Sequence, residues 1–261
     1  MKVLLTNDDG IHAPGLLALC RYFYPKHEVV VIAPERQRSA VGHAITLHKP
    51  IRCESVVMKG GFQGYSVSGT PADCVKLGIL ELLKRKPDVV ISGINPGANI
   101  GINVNYSGTV CAAREAGLYG ILGISVSIDG MKEIDYDPAA RFIETLTVRI
   151  FHEKRAFKTV LNVNIPSIPF SKIRGVRICR QETAGFEEQF EKRIDPRNRI
   201  YYWQGCESLK PFRHDDSDGV FLAKNYITIT PLVSDLTDFH VVEGIGTWKL
   251  DEWDLSSEAL E

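Results

Sequence analysis

The first ten residues, Met1-Lys-Val-Leu-Leu-Thr-Asn-Asp-Asp-Gly10, join a short, unalternating apolar run to two adjacent carboxylates and a glycine. A run of this kind suits a strand covered on both faces in a parallel sheet, because neither face of such a strand meets water. Ligands of parallel α/β sheets bind just beyond the carboxyl ends of the strands, which is where Asp8 and Asp9 fall. Neighbouring carboxylates repel each other and lose hydration together, and a hard divalent cation offsets both effects by taking their oxygens as ligands. Magnesium or manganese is the expected ion. Asn, Asp and Gly also favour plain polar turns, so the pair needs support from the rest of the chain.

That support comes from a repeating rhythm. The apolar run Glu28 to Pro34 ends in the polar loop Glu35 to Ala40, which carries Ser39, and Asp88 to Ser92 opens into Gly93-Ile-Asn-Pro-Gly-Ala-Asn-Ile-Gly101, which carries Asn95 and Asn99. Gly120 to Ile128 supplies a fourth strand. Between these runs, helical spacing predicts helices from about Gly15 to Pro25, from Thr70-Pro71 through Lys84, from Ser107 through Ala116, and from Asp137-Pro138 to His152. Ala44 to Cys53 and Gly64 to Ser68 read as an antiparallel excursion turning at Gly60-Gly61. The alternation is that of an α/β fold with a mostly parallel sheet.

After Thr159 the rhythm changes. Val160 to Ile165, Val176 to Cys179, Arg199 to Trp203 and Tyr226 to Thr230 read as strands without long helices between them. Residues 1–165 are therefore taken as a catalytic core and 166–261 as a β-rich extension and C-terminal arm of one elaborated domain. Gly219 to Ala223 and Tyr226 to Thr230 are expected to be extended, with edges that a second copy of the chain would cover. Trp248 and Trp253, in an otherwise acidic tail, read as contacts.

At 261 residues and 44% hydrophobic, the chain can bury a substantial core. A net charge of -1 provides no basic field, so no nucleic-acid polymer is expected as a partner. Six cysteines without a C-x-x-C pair suit free thiols in a reducing cytoplasm. Met1-Lys2 leads straight into the first strand and no apolar span reaches membrane length, so neither a signal peptide nor a membrane partner is expected.

Three strand ends thus present Asp8 and Asp9, then Ser39, then Asn95, all hard oxygen donors, a set that suits magnesium better than zinc. Ser107-Gly108-Thr109 at a helix start is by itself a capping motif, and beside a metal becomes a phosphate cradle. A phosphate held between a cation and a helix N-terminus points to phosphomonoester hydrolysis with Asp8 and Asp9 as the catalytic pair, one of the two, Asp9 by preference, orienting or deprotonating the attacking water. No C-x5-R loop, no Gly-x4-Gly-Lys-Ser/Thr and no G-x-G-x-x-G after the first strand supports a rival chemistry. Two other classes remain open: a metal-dependent nucleotide sensor that releases no phosphate, and a metal-dependent glycosyl transferase. His12 is assigned no role.

The segments Thr6-Asn-Asp-Asp-Gly-Ile-His-Ala-Pro-Gly15, Ala33-Pro-Glu-Arg-Gln-Arg-Ser39, Ser68-Gly-Thr-Pro-Ala-Asp-Cys74, Ser92-Gly-Ile-Asn-Pro-Gly-Ala-Asn99, Tyr106-Ser-Gly-Thr-Val110 and Ile229-Thr-Pro-Leu-Val-Ser-Asp-Leu-Thr237 together resemble the survival protein E (SurE) family over essentially the whole chain. The resemblance implies a doubly wound, Rossmann-like core and a 5′/3′-nucleotidase that also acts on short polyphosphate. It implies one divalent metal ion per subunit, held by Asp8, Asp9, Ser39 and Asn95, with Asn99, Ser107, Gly108 and Thr109 around the phosphate of a nucleoside monophosphate. It further implies a homodimer or homotetramer formed through the C-terminal half. Cys111 departs from the family's usual small residue at that position.

Overall fold

The computed structural model describes residues 1–131, 134–153, 159–184, 186–209 and 211–248. The chain begins with β1 (Lys2–Thr6), α1 (Pro14–Phe23) and β2 (Glu28–Pro34). Pro14 opens α1 at a position where its missing N–H costs nothing, and Leu16, Leu19, Cys20 and Phe23 turn inward. An excursion, β3 (Cys53–Val57) and β4 (Gln63–Val67), leads to α2 (Pro71–Leu77), which widens into a π turn over Gly78–Leu82. Thr70 and Asp73 cap α2 reciprocally: the Thr70 hydroxyl accepts from the Asp73 amide and the Asp73 carboxylate from the Thr70 amide. Then follow β5 (Val89–Pro96), α3 (Gly108–Leu118), β6 (Leu122–Asp129), α4 (Asp137–His152) and β7 (Val160–Pro166).

β1 lies parallel between β2 and β5, with Leu4 opposite Val30 on one side and Val90 on the other. Side chains alternate across this strand, so Val3 and Leu5 join the core beneath α1 and α4, while Leu4 joins Cys74, Val75, Ala112 and Ala116 of α2 and α3. Helices on both faces explain the unalternating apolar runs. Across the sheet the order is β3-β4-β2-β1-β5-β6-β7 and then the later strands β11 (Ile227–Leu232) and β8 (Val176–Ile178). The winding reverses between β1 and β5, so their carboxyl ends open into a crevice between diverging crossovers.

Several segments depart from the expectations above. Ala44 to Cys53 is not a strand, the strand being Cys53–Val57; the preceding loop instead serves the start of α2, Thr46 bonding the Asp73 carboxylate and Ala44 the Thr70 hydroxyl. Gly219 to Ala223 is not extended but lies in the helix α5 (Asp218–Ala223), a short apolar run that periodicity cannot assign, ended by Asn225 at φ 63°. Tyr226 to Thr230 has no open edge, because β11 pairs antiparallel with β7 and parallel with β8 within the same chain. Arg199 to Trp203 belongs to β10 (Ile200–Leu209), which pairs with β9 (Phe186–Ile194) in a separate two-stranded sheet. The charges of β9 hid it from the hydrophobic pattern. The tail forms α6 (Phe239–Gly246), after which Trp248 is exposed; Trp253 lies outside the described residues. Among the described residues no helix is long and apolar enough to cross a membrane.

Candidate active site

Asp8 stands two residues past the end of β1 and is only 5% exposed. The Thr109 hydroxyl, in the first turn of α3, donates to its carboxylate. Gly108 lets the helix come this close: a Cβ there would stand 2.9 Å from Asp8 Oδ2 and 2.9 Å from Asp8 Cβ. The loop after β2 reaches the same point, the Arg38 amide donating to the Asp8 carbonyl at 2.7 Å. Ser39 is thereby carried to the rim, exposed, its Oγ accepting from Gln37 Nε2 at 2.8 Å. Asn95 sits at the end of β5 opposite Ser127 of β6, and its Nδ2 donates to the Gly97 carbonyl at 2.8 Å, leaving the amide oxygen for another partner. Since Thr6 of β1 pairs with Ser92 of β5, the acidic pair and Asn95 lie beyond the same end of adjacent strands.

The charges here are poorly met. Burial pushes the Asp8 carboxyl above its ordinary value, opposed by the Thr109 bond and the amides of Asp8 and Thr109. Asp9 is pushed up to about 7, first by burial and then by the charge of Asp8. Among the described residues neither has a cationic partner. Two under-compensated carboxylates, a hydroxyl and an amide oxygen make a hard donor set that fits a divalent ion of the magnesium type.

The expected phosphate group is more varied in its bonding. Ser107 caps α3, its Oγ accepting from the Val110 amide at 3.2 Å. Asn99 is buried and committed to the sheet: its Nδ2 donates to Ser127 Oγ at 2.8 Å, its amide to Asn164 Oδ1 at 2.7 Å, and its carbonyl accepts from Asn162 Nδ2 at 2.7 Å. These asparagine partners on β7 were passed over, although the alternation Leu161-Asn-Val-Asn-Ile165 in an otherwise apolar strand signals a polar face. Tyr136, at the start of α4, was also passed over; burial and then the Asp9 charge push its phenol up. His12 is exposed, and Cys111 packs fully buried within α3.

An open, doubly wound sheet with two carboxylates at its switch point and a helix N-terminus against them defines an α/β protein with an acidic strand-end site. The chain belongs to the SurE family, whose model, described as Survival protein SurE, matches residues 3–188. It is 50% identical over 252 residues to the 5′-nucleotidase SurE of Desulfatibacillum aliphaticivorans, covering 97% of this chain and 100% of that protein. The 5′-nucleotidase SurE of Syntrophobacter fumaroxidans is 44% identical over 252 residues, covering 96% and 100%. A crystal structure of the Sure protein from Aquifex aeolicus superposes with a TM-score of 0.83 at 35% identity, covering 95% of this chain and 100% of that one.

Proposed function

We propose that this protein is a divalent-metal-dependent phosphomonoesterase that hydrolyses nucleoside 5′- and 3′-monophosphates to nucleoside and phosphate, and that also cleaves short polyphosphate. The contact of the Asp8 carboxylate with Gly108 and Thr109 carries this reading, because it sets an acidic cation site directly against a helix N-terminus suited to an anion. The names of the relatives, 5′-nucleotidase SurE, support the substrate class.

Asp8, Asp9, Ser39 and Asn95 would hold one Mg2+ or Mn2+ per subunit. Such an ion, when bound, polarises a phosphoryl group and acidifies water. The chain's own residues do the rest. The Ser107 hydroxyl and the backbone amides of Gly108 and Thr109, with the positive end of the α3 dipole, take phosphate oxygens, while the Thr109 hydroxyl donates to Asp8. Asn99 holds the adjoining loop to β6 and β7 through Ser127, Asn162 and Asn164, and would stand beside the bound phosphate. Asp9, the acid next to Asp8 at the same strand end, orients the attacking water or takes its proton.

Incubation with nucleoside monophosphates, nucleotide sugars and short polyphosphate, with Mg2+, Mn2+ or chelator, is expected to release phosphate from the monophosphates only with metal. Metal-dependent binding without release would instead make the protein a sensor, and sugar release would make it a glycosyl transferase.

We further propose a cytoplasmic homodimer or homotetramer. Free thiols at Cys20, Cys53, Cys74, Cys111 and Cys179 suit that compartment. The β9–β10 hairpin exposes Phe190, Ile194, Ile200 and Trp203, and α6 exposes Phe239 and Val242, an apolar surface that suits contact with a second copy. Truncation after Val233 leaves β11 whole and is expected to lower the oligomeric state in light scattering coupled to size exclusion. An unchanged state would show that the tail does not hold the assembly.

A further inference from the structure

Gly101 stands between the two parts of the site, following Asn95 and Asn99 and preceding the Ser107–Thr109 turn. It occupies the left-handed region at φ +57°, and a Cβ there would lie 3.4 Å from the Glu182 carbonyl oxygen. Both of its peptide groups are held by residues far along the chain. Its amide donates to Asp218 Oδ2 at 3.2 Å, and its carbonyl accepts from Gln181 Nε2 at 2.8 Å.

Asp218 is fully buried, and its Oδ1 accepts from the Glu182 amide at 3.0 Å and the Gly219 amide at 2.8 Å. Glu182 is buried beside it. Its carboxylate accepts from the amides of Thr183 at 2.7 Å, Ala184 at 2.8 Å and Arg213 at 3.2 Å, and from the Ser217 hydroxyl at 2.8 Å. Two buried carboxylates thus draw four stretches of backbone together through N–H and O–H donors, and one of those stretches is the loop at the site. A buried carboxylate is costly to desolvate, and hydrogen-bond donors facing its oxygens offset that cost. Downstream of Gly101 runs the 3-10 turn Gly101–Asn105, and the Tyr106 that follows it accepts from the Gly42 amide at 3.0 Å.

We propose that Asp218 and Gln181 are positioning residues: they latch Gly101 so that residues 101–107 present the α3 N-terminus to a substrate phosphate. The inference rests on the reading of that helix start as the phosphate site, and it makes the C-terminal part of the chain a component of phosphate recognition. Removing either bond frees the loop while leaving Asp8, Asp9 and the strands beneath them in place.

The test uses full-length Gln181→Ala and Asp218→Asn. With a nucleoside monophosphate at saturating Mg2+, each variant is expected to raise KM by about tenfold, the worth of a hydrogen bond. Calorimetric Mg2+ affinity is expected to stay within about twofold, because the metal ligands are untouched. Wild-type KM in a folded Asp218→Asn protein overturns the latch. Gln181 is only part-buried and makes a single bond to the loop, so Gln181→Ala carries the test if Asp218→Asn fails to fold. Hydrogen exchange supplies an arm that needs no turnover. In Gln181→Ala the amides of residues 102–107 are expected to exchange about tenfold faster than in wild type, with those of β1 and β5 unchanged, since a lost tether opens one segment locally. Equal rates at 102–107 overturn the latch even if the protein proves to be no nucleotidase, and acceleration throughout the chain reduces Gln181 to a general structural role.

Discussion

At the end of β1, Asp8 and Asp9 are held above their ordinary proton affinity, Asp9 at about 7, with the Thr109 hydroxyl and the amides of Asp8 and Thr109 as the groups that oppose the shift at Asp8. In the cluster joined to Gly101 through Asp218, burial raises the Glu182 carboxyl, but the amides of Ala184, Arg213 and Thr183 and the Ser217 hydroxyl outweigh it and push the value down to about 2. At Glu182 the facing donors outweigh burial, whereas burial prevails at Asp8 and Asp9 and also at Asp218, although three amides face Asp218. Where N–H and O–H groups saturate the oxygens, a buried acid serves as a structural clamp. Where they do not, as at Asp8 and Asp9, the charge is left poorly compensated, the condition under which perturbed acids cluster at functional sites.

The largest effect is expected from removing the under-compensated charge itself. Asp8→Asn or Asp9→Asn should reduce phosphate release to background while thermal unfolding stays unchanged or rises, because each change relieves repulsion between neighbours in the metal-free protein. Wild-type turnover at limiting metal in either variant would abolish the contrast between the two clusters. Next in size is Gly108→Ala. Its methyl would stand 2.9 Å from Asp8 Oδ2, so either Asp8 or α3 must move. A loss of about 1 to 3 kcal/mol in folding stability is expected, of the order seen for overpacking, together with a fall in kcat/KM, and an unaltered kcat/KM would mean that the helix start and the acidic pair are not coupled.

Thr109→Val and Ser107→Ala sharpen the same contact. Each is expected to lower kcat/KM by about 1 to 3 kcal/mol through a lost bond to a charged group. Metal affinity should separate them in calorimetry, shifting in Thr109→Val, whose hydroxyl bonds Asp8, and holding in Ser107→Ala, whose hydroxyl caps α3. Equal metal affinities would remove Thr109 from the acidic cluster.

The smallest effect concerns the saturated cluster. Glu182 has a folded-state value near 2 against an ordinary value of 4.5, so its ionised form is preferred by the fold. The stability it contributes is fully present above about pH 4.5 and is lost as pH falls toward about 2. Glu182→Gln should be less stable than wild type at neutral pH, and the gap should narrow on acidification. Parallel acid-unfolding curves for the two proteins would contradict the donor count at Glu182.

The parallel strands, the excursion at Gly60-Gly61 and the helix start at Ser107 were legible because each is written in a continuous segment, as apolar runs bounded by turn residues and a capping hydroxyl. The meeting of Asp8, Ser39 and Asn95 at one end of the sheet followed from the same segments, since consecutive βα units bring their strand ends to one edge. Other features were beyond local reading. The charged sequence of β9 carries no hydrophobic period, and Gly219 to Ala223 reads as extended because five apolar residues fit either period.

By itself, then, the sequence determined which residue types stand at the strand ends and which helix begins with free amides, because short-range patterning decides both. Only the tertiary structure decided that Thr109 bonds Asp8 across 101 residues and that Asp218 bonds Gly101 across 117. A hydrogen bond between distant segments depends on the packing that brings its donor within about 3 Å of its acceptor, and nothing in the local sequence of either partner encodes that distance.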